Sequence, residues 1–126
     1  MTTYGGMSFF LSALVLLALS AYLALYVGLF SYGTRVIASA PWPIDLLAPS
    51  ALWVGLEYLR TYALTGFPWA LLGYTQYRSN TLLPIASVTG VYGLSFLVIL
   101  VNIALAQLAA TAGDRLRTML LTGVLA

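Results

Sequence analysis

The chain of 126 residues contains no cysteine, no histidine and no lysine, and only 6% of it is charged. Without cysteine and histidine, these residues hold no thiol nucleophile, no imidazole acid–base group and few of the usual ligands for zinc. Without lysine they form no Schiff base. The acids are Asp45, Glu57 and Asp114, and the bases are Arg35, Arg60, Arg78, Arg115 and Arg117. The net charge of +2 is spread along the chain and makes no basic patch for nucleic acid. Soluble domains carry about 25% charged residues. A chain that is 62% hydrophobic points instead to a bilayer. Such a protein needs no disulfide staple, so the missing cysteine says little about redox compartment.

What is present is long apolar runs. The first, Phe9 to Phe30, has 22 residues. It exceeds the roughly 7–15 residues of a signal-peptide core, and no basic residue precedes it. At 1.5 Å per residue it rises about 33 Å, enough for a hydrocarbon core of ~30 Å. A connection from 31 to 48 holds Arg35, Asp45 and the Pro41-Trp42-Pro43 turn, where Trp42 reads as an interfacial anchor. A second, shorter helix is expected from Pro49-Ser50 to Thr65, since proline and serine both suit a helix start and Gly66 with Pro68 suits a stop. Its length leaves tilt, thinning or a re-entrant path open. A third helix is expected over 82–110, with Pro84 in its first turn. Ser95, Asn102 and Ala109 repeat every seven residues on it, and Gly90 and Gly93 offer small surfaces for close helix approach. Residues 111–118 read as a polar connection, and 119–126 as the start of another span. The fold expected is therefore all-α, a polytopic bundle of three spans plus the start of a fourth, in one partial transmembrane domain over 1–126. No internal repeat is visible.

Arginine counts orient the bundle. Arg35, Arg115 and Arg117 fall on one side and Arg78 alone on the other. The positive-inside rule then makes the 31–48 connection cytoplasmic and the 66–81 connection outward-facing.

The stretch 53–76, WVGLEYLRTYALTGFPWALLGYTQ, concentrates the unusual chemistry. Glu57 and Arg60 lie three residues apart on one helix face inside an apolar segment, with Trp53 one turn earlier. Charge at membrane depth is costly. Two readings fit: an internal ion pair that neutralises itself and locks helices, or a pair that orients polar head groups or shapes a substrate path. Phe67, Trp69, Tyr74 and Tyr77 cluster after Gly66. They form either an interfacial aromatic belt or a lip for lipid chains. Gln76, Arg78 and Asn80 are placed to contact phosphate oxygens or to be solvated. Asn102 is expected to join helices more than to bind a ligand.

The segments WVGLEYLR at 53–60, TGFPW at 65–69, GYTQ at 73–76 and GVYGLSFLV at 90–98 resemble, in order and spacing, the membrane domain of bacterial apolipoprotein N-acyltransferases. The resemblance covers about residues 40–110 well, and Phe9 to Phe30 by hydropathy only. It implies a multi-pass protein of the inner membrane, with the 66–81 connection periplasmic. It also implies a periplasmic nitrilase-like domain, whose Glu-Lys-Cys triad takes an acyl chain from a phospholipid as a thioester. The triad then passes the chain to the N-terminal diacylglyceryl-cysteine of a lipoprotein. Partners would be membrane phospholipid and lipoprotein; no cofactor, metal or nucleic acid is expected. None of the triad can be carried onto this chain, which lacks Cys and Lys. The expectation is a membrane-domain fragment, inactive alone and with no catalytic residue. Its Glu57, Arg60, Phe67, Trp69, Tyr74 and Gln76 are candidates for lining a lipid cavity. The rival expectations are a non-enzymatic membrane scaffold complete at 126 residues, or a transporter segment using Glu57 and Arg60 in an ion path. The transporter would more often show an inverted repeat of hydropathy.

Overall fold

A computed structural model describes residues 8–63 and 70–124, the part from 113 onward as backbone only. Among the described residues the chain is all-helical.

Helix α1 covers Phe9–Ile37. Ser8 caps it, its side chain accepting from the Leu11 amide at 3.4 Å. The helix continues past Phe30 because the polar residues that follow bond locally. Ser31 Oγ donates to the Val27 carbonyl at 2.8 Å, and Thr34 Oγ1 to the Ser31 carbonyl at 3.0 Å. Such back-bonding satisfies a hydroxyl without leaving the helix.

Helix α2 covers Ile44–Tyr62, 19 residues. Its start corrects the expectation of Pro49-Ser50. The carbonyls of Pro41 and Pro43 accept from the Ile44 amide at 2.8 Å and the Leu47 amide at 3.0 Å, so the Pro41-Trp42-Pro43 turn itself opens the helix. Asp45 sits in the first turn and Arg60 in the last, each placed favourably against the helix dipole. Pro49 lies inside the helix and is buried, where its missing N–H withdraws one helical bond. The Trp42–Pro43 bond is cis, and Trp42 is largely exposed.

A short 3-10 helix, Leu72–Gln76, precedes helix α3, Leu83–Val124. Gly90 breaks the regular geometry of α3 with φ 68° and ψ −172°. This backbone region is essentially confined to glycine. The expected polar connection at 111–118 stays helical, and 119–124 continue the same helix instead of opening a new one. Ala, Leu, Met and Arg, all good helix formers, make up half of this stretch, and charged groups do not interrupt the backbone ladder.

Two helical stretches are long and apolar enough to cross a membrane: Phe9–Ile37 and Leu83–Ala112. Helix α2 packs between α1 and α3. Phe30 meets Trp53 edge-on at 4.9 Å between ring centroids, and Gly33 leaves room for Leu52. On the other side, Tyr92 Oη donates to Thr61 Oγ1 at 3.1 Å. At the opposite end of α2, Gln107 Nε2 donates to Asp45 Oδ2 at 3.0 Å. Arg35, Asp45 and Gln107 thereby share one end of the bundle, around an open groove of about 910 Å³. Asn102, expected to join helices, is exposed and bonds the Val98 carbonyl of its own helix at 2.7 Å.

Candidate functional site

The buried polar chemistry converges on residues 70–76. Leu71 is 3% exposed, so this apolar side chain anchors the segment between α2 and α3. An apolar anchor alone leaves backbone amides buried, and each unpaired buried amide costs about 1–3 kcal/mol. Two side chains meet that demand. Glu57 Oε1 accepts from the Leu72 amide at 2.6 Å, and Ser95 Oγ accepts from the Gly73 amide at 2.8 Å. A third contact runs the other way: the Arg60 guanidinium donates to the Ala70 carbonyl at 3.3 Å. Glu57 and Ser95 are 3% and 0% exposed. The segment is thus gripped by α2 on one side and α3 on the other.

Gly73 lets the backbone come this close. A Cβ there would press on the Val91 carbonyl oxygen and stand 3.1 Å from Leu94 Cβ. The Gly73 amide can reach Ser95 only because no side chain intervenes. Ala70, which begins the segment, has φ 57°, an uncommon conformation for a residue with a side chain.

Glu57 and Arg60 do not hydrogen-bond each other. Each instead holds the backbone of the same segment, which replaces the internal ion pair offered as one sequence reading. Geometry explains the difference: two groups one helical turn apart both reach the chain that folds back over them. Glu57 Oε2, Arg60 Nε and Trp53 Nε1 are buried and have no hydrogen-bond partner among the described residues.

Beyond the clamp the side chains turn outward. Tyr74 and Tyr77 are 53% and 64% exposed, and the Arg78 guanidinium stands 5.2 Å from the Tyr77 ring centre. Gln76 Nε2 donates to Thr75 Oγ1 at 3.0 Å. Of the six sequence candidates, Glu57 and Arg60 lie in the clamp, while Tyr74 and Gln76 lie on its outer turn. Phe67 and Trp69 lie outside the described residues. Ser95 and Gly73 were not singled out as site residues. The sequence signal that pointed toward Ser95, its heptad relation to Asn102, concerned helix packing and not this bond. An apolar groove of about 490 Å³ lies between α2 and α3, lined by Val54, Tyr92 and Phe96 among others.

Comparison with known proteins gives this arrangement a family. The model of the apolipoprotein N-acyltransferase N-terminal domain matches residues 1–104. The apolipoprotein N-acyltransferase of Geobacter metallireducens is 50% identical over 104 residues, 82% of this chain and 20% of that protein. That of Haemophilus ducreyi is 38% identical over 121 residues, 94% of this chain and 22% of that protein. That of Chromobacterium violaceum is 41% identical over 112 residues, 89% of this chain and 22% of that protein. No solved structure matches. The chain spans about a fifth of the length of these curated relatives. With the family model covering the clamp helices and most of the apolar sequence, the chain belongs to the apolipoprotein N-acyltransferase N-terminal domain family.

Proposed function

We propose that these 126 residues serve as membrane part of an apolipoprotein N-acyltransferase. The whole protein would transfer an acyl chain from a phospholipid to the N-terminal diacylglyceryl-cysteine of a lipoprotein. The observation that carries this reading is the family match over residues 1–104, which includes both Glu57 and Ser95. The transfer is two-step nucleophilic chemistry through a thioester. The chain has neither Cys nor Lys, so the reacting groups belong to other residues of the enzyme. Its own contribution is positional. The clamp fixes the 70–76 turn, and that turn directs Tyr74, Tyr77 and Arg78 outward beside the half-buried Gln76, where aromatic rings and a guanidinium suit a lipid–water boundary. Phe67 and Trp69 belong to the same lip in this reading.

Three spans complete the proposal: α1, α2 and the 83–112 part of α3, in the inner membrane with residues 66–81 on the periplasmic side. The sharing of one bundle end by Arg35 and Gln107 supports it, because α3 runs on from Gln107 to Arg115 and Arg117, so three of the five arginines follow the spans at that end.

The test is rescue of a bacterium depleted of its own apolipoprotein N-acyltransferase. The enzyme carrying this segment restores triacylated lipoprotein, whereas the 126-residue chain expressed alone restores none. Rescue by the chain alone would overturn the division of labour. Within the whole enzyme, Trp69→Ala lowers the rate of acylation of a lipopeptide more than Trp42→Ala does. Equal rates would reduce Trp69 to one member of an aromatic belt.

A further inference from the structure

Among the described residues, three buried polar atoms near the clamp have no hydrogen-bond partner: Trp53 Nε1, Glu57 Oε2 and Arg60 Nε. All three belong to residues that line one small cavity of about 20 Å³, whose lining is completed by Tyr26, Val27 and Leu56. Burying such atoms unpaired costs about 1–3 kcal/mol each, more where they are charged. Three such costs at one place call for a shared partner.

The chemistry of the three atoms narrows that partner. Two are donors only, the indole N–H and the guanidinium Nε–H. One is a carboxylate oxygen, which in its ionised form only accepts. A metal cation would face two N–H donors, and an anion would face a carboxylate. The occupant must accept twice and donate at least once. A cavity needs about 10–15 Å³ to hold a water molecule, and a buried water makes about three hydrogen bonds. The Tyr26 hydroxyl bonds Tyr22 Oη at 2.8 Å and none of the three atoms.

We propose that this cavity is a binding site for a single water molecule that accepts from Trp53 Nε1 and Arg60 Nε and donates to Glu57 Oε2. The water couples the two charged residues without direct contact. Glu57 then keeps Oε1 for the Leu72 amide, and Arg60 keeps a terminal nitrogen for the Ala70 carbonyl. Trp53 becomes a positioning residue for the 70–76 segment, acting through the water and Glu57.

The test is a density map of the purified whole protein in lipid nanodiscs, at about 2 Å or better. The expected result is one isolated water-sized peak at hydrogen-bonding distance, about 2.7–3.2 Å, from Trp53 Nε1, Glu57 Oε2 and Arg60 Nε. A direct Glu57–Arg60 contact through those atoms, or a cavity without density, overturns the proposal. A Raman measurement provides a second readout that does not depend on map resolution. The indole N–H band assigned to Trp53, by difference against Trp53→Phe, falls at the hydrogen-bonded position. A band at the free N–H position overturns the proposal as well.

Discussion

Glu57 and Ser95 hold adjacent amides, those of Leu72 and Gly73, from two different helices. Removing either acceptor orphans one buried N–H. Ser95→Ala is therefore expected to destabilise the protein by about 1–3 kcal/mol. Glu57→Gln retains an acceptor at Oε1 but loses the charge, and charge-assisted bonds are roughly twice as strong as neutral ones. It should cost less than Glu57→Ala, which removes the acceptor altogether and leaves the Leu72 amide unpaired. Both residues act on one short segment, so their effects should not add. Once one bond is gone the segment is already loosened, and the second loss matters less. Thermal unfolding of the single and double variants in detergent measures this. Full additivity would mean that residues 72 and 73 are held independently. Gly73→Ala tests the close approach itself, because the added methyl meets backbone oxygen that cannot rotate away. Overpacking of this kind costs about 1–3 kcal/mol, and the loss should be accompanied by weakening of the Ser95 bond.

At the scale of elements, the kink in α3 rests on one residue. Gly90 has φ 68°, with open space around the position of a would-be Cβ. Gly90→Ala would therefore strain the backbone without any clash, and its cost isolates the conformational term, about 1–3 kcal/mol. The same variant should straighten α3, moving Leu83–Thr89 relative to the clamp residue Ser95. A pair of spin labels across Gly90 would report the change in distance, and an unchanged distance would mean that packing alone sets the bend. The sequence made α1 and α3 legible, because uninterrupted apolar runs leave little choice but a helix. It marked Gly90 too, but as a packing surface. It misjudged the start of α2, because Pro49 suits a first turn equally well and the bonds that the Pro41 and Pro43 carbonyls accept are not visible in a pattern. The clamp was only half legible. The cost of burying charge singled out Glu57 and Arg60, whereas their partners are backbone groups ten and fifteen residues away. Ser95 lies 22 residues from Gly73. Periodicity carries no information about pairings of that separation.

At the scale of the molecule, the proposal that α2 crosses the bilayer has to meet its length and its charge. Its 19 residues rise about 28 Å, slightly less than a hydrocarbon core of ~30 Å. It also carries Asp45, Glu57 and Arg60, so composition alone argues against a simple span. Position argues the other way. Asp45 is in the first turn, Arg60 in the last and Glu57 one turn before it, so charge is kept from the middle of the helix. The clamp then supplies buried partners where Glu57 and Arg60 would otherwise face hydrocarbon. A crossing α2 puts Ser39 and Asn80 on opposite faces of the membrane, and both are exposed. The 126-residue chain has no cysteine, so when it is expressed alone, single cysteines placed at these positions are its labelling sites. In intact cells with a permeable outer membrane, an impermeant maleimide should label Asn80→Cys and spare Ser39→Cys until the cells are lysed. The opposite pattern would reverse the orientation drawn from Arg35, Arg115 and Arg117 against Arg78. Labelling of both in intact cells would mean that α2 enters and leaves by the same face, making the clamp a re-entrant device and leaving only α1 and α3 to cross.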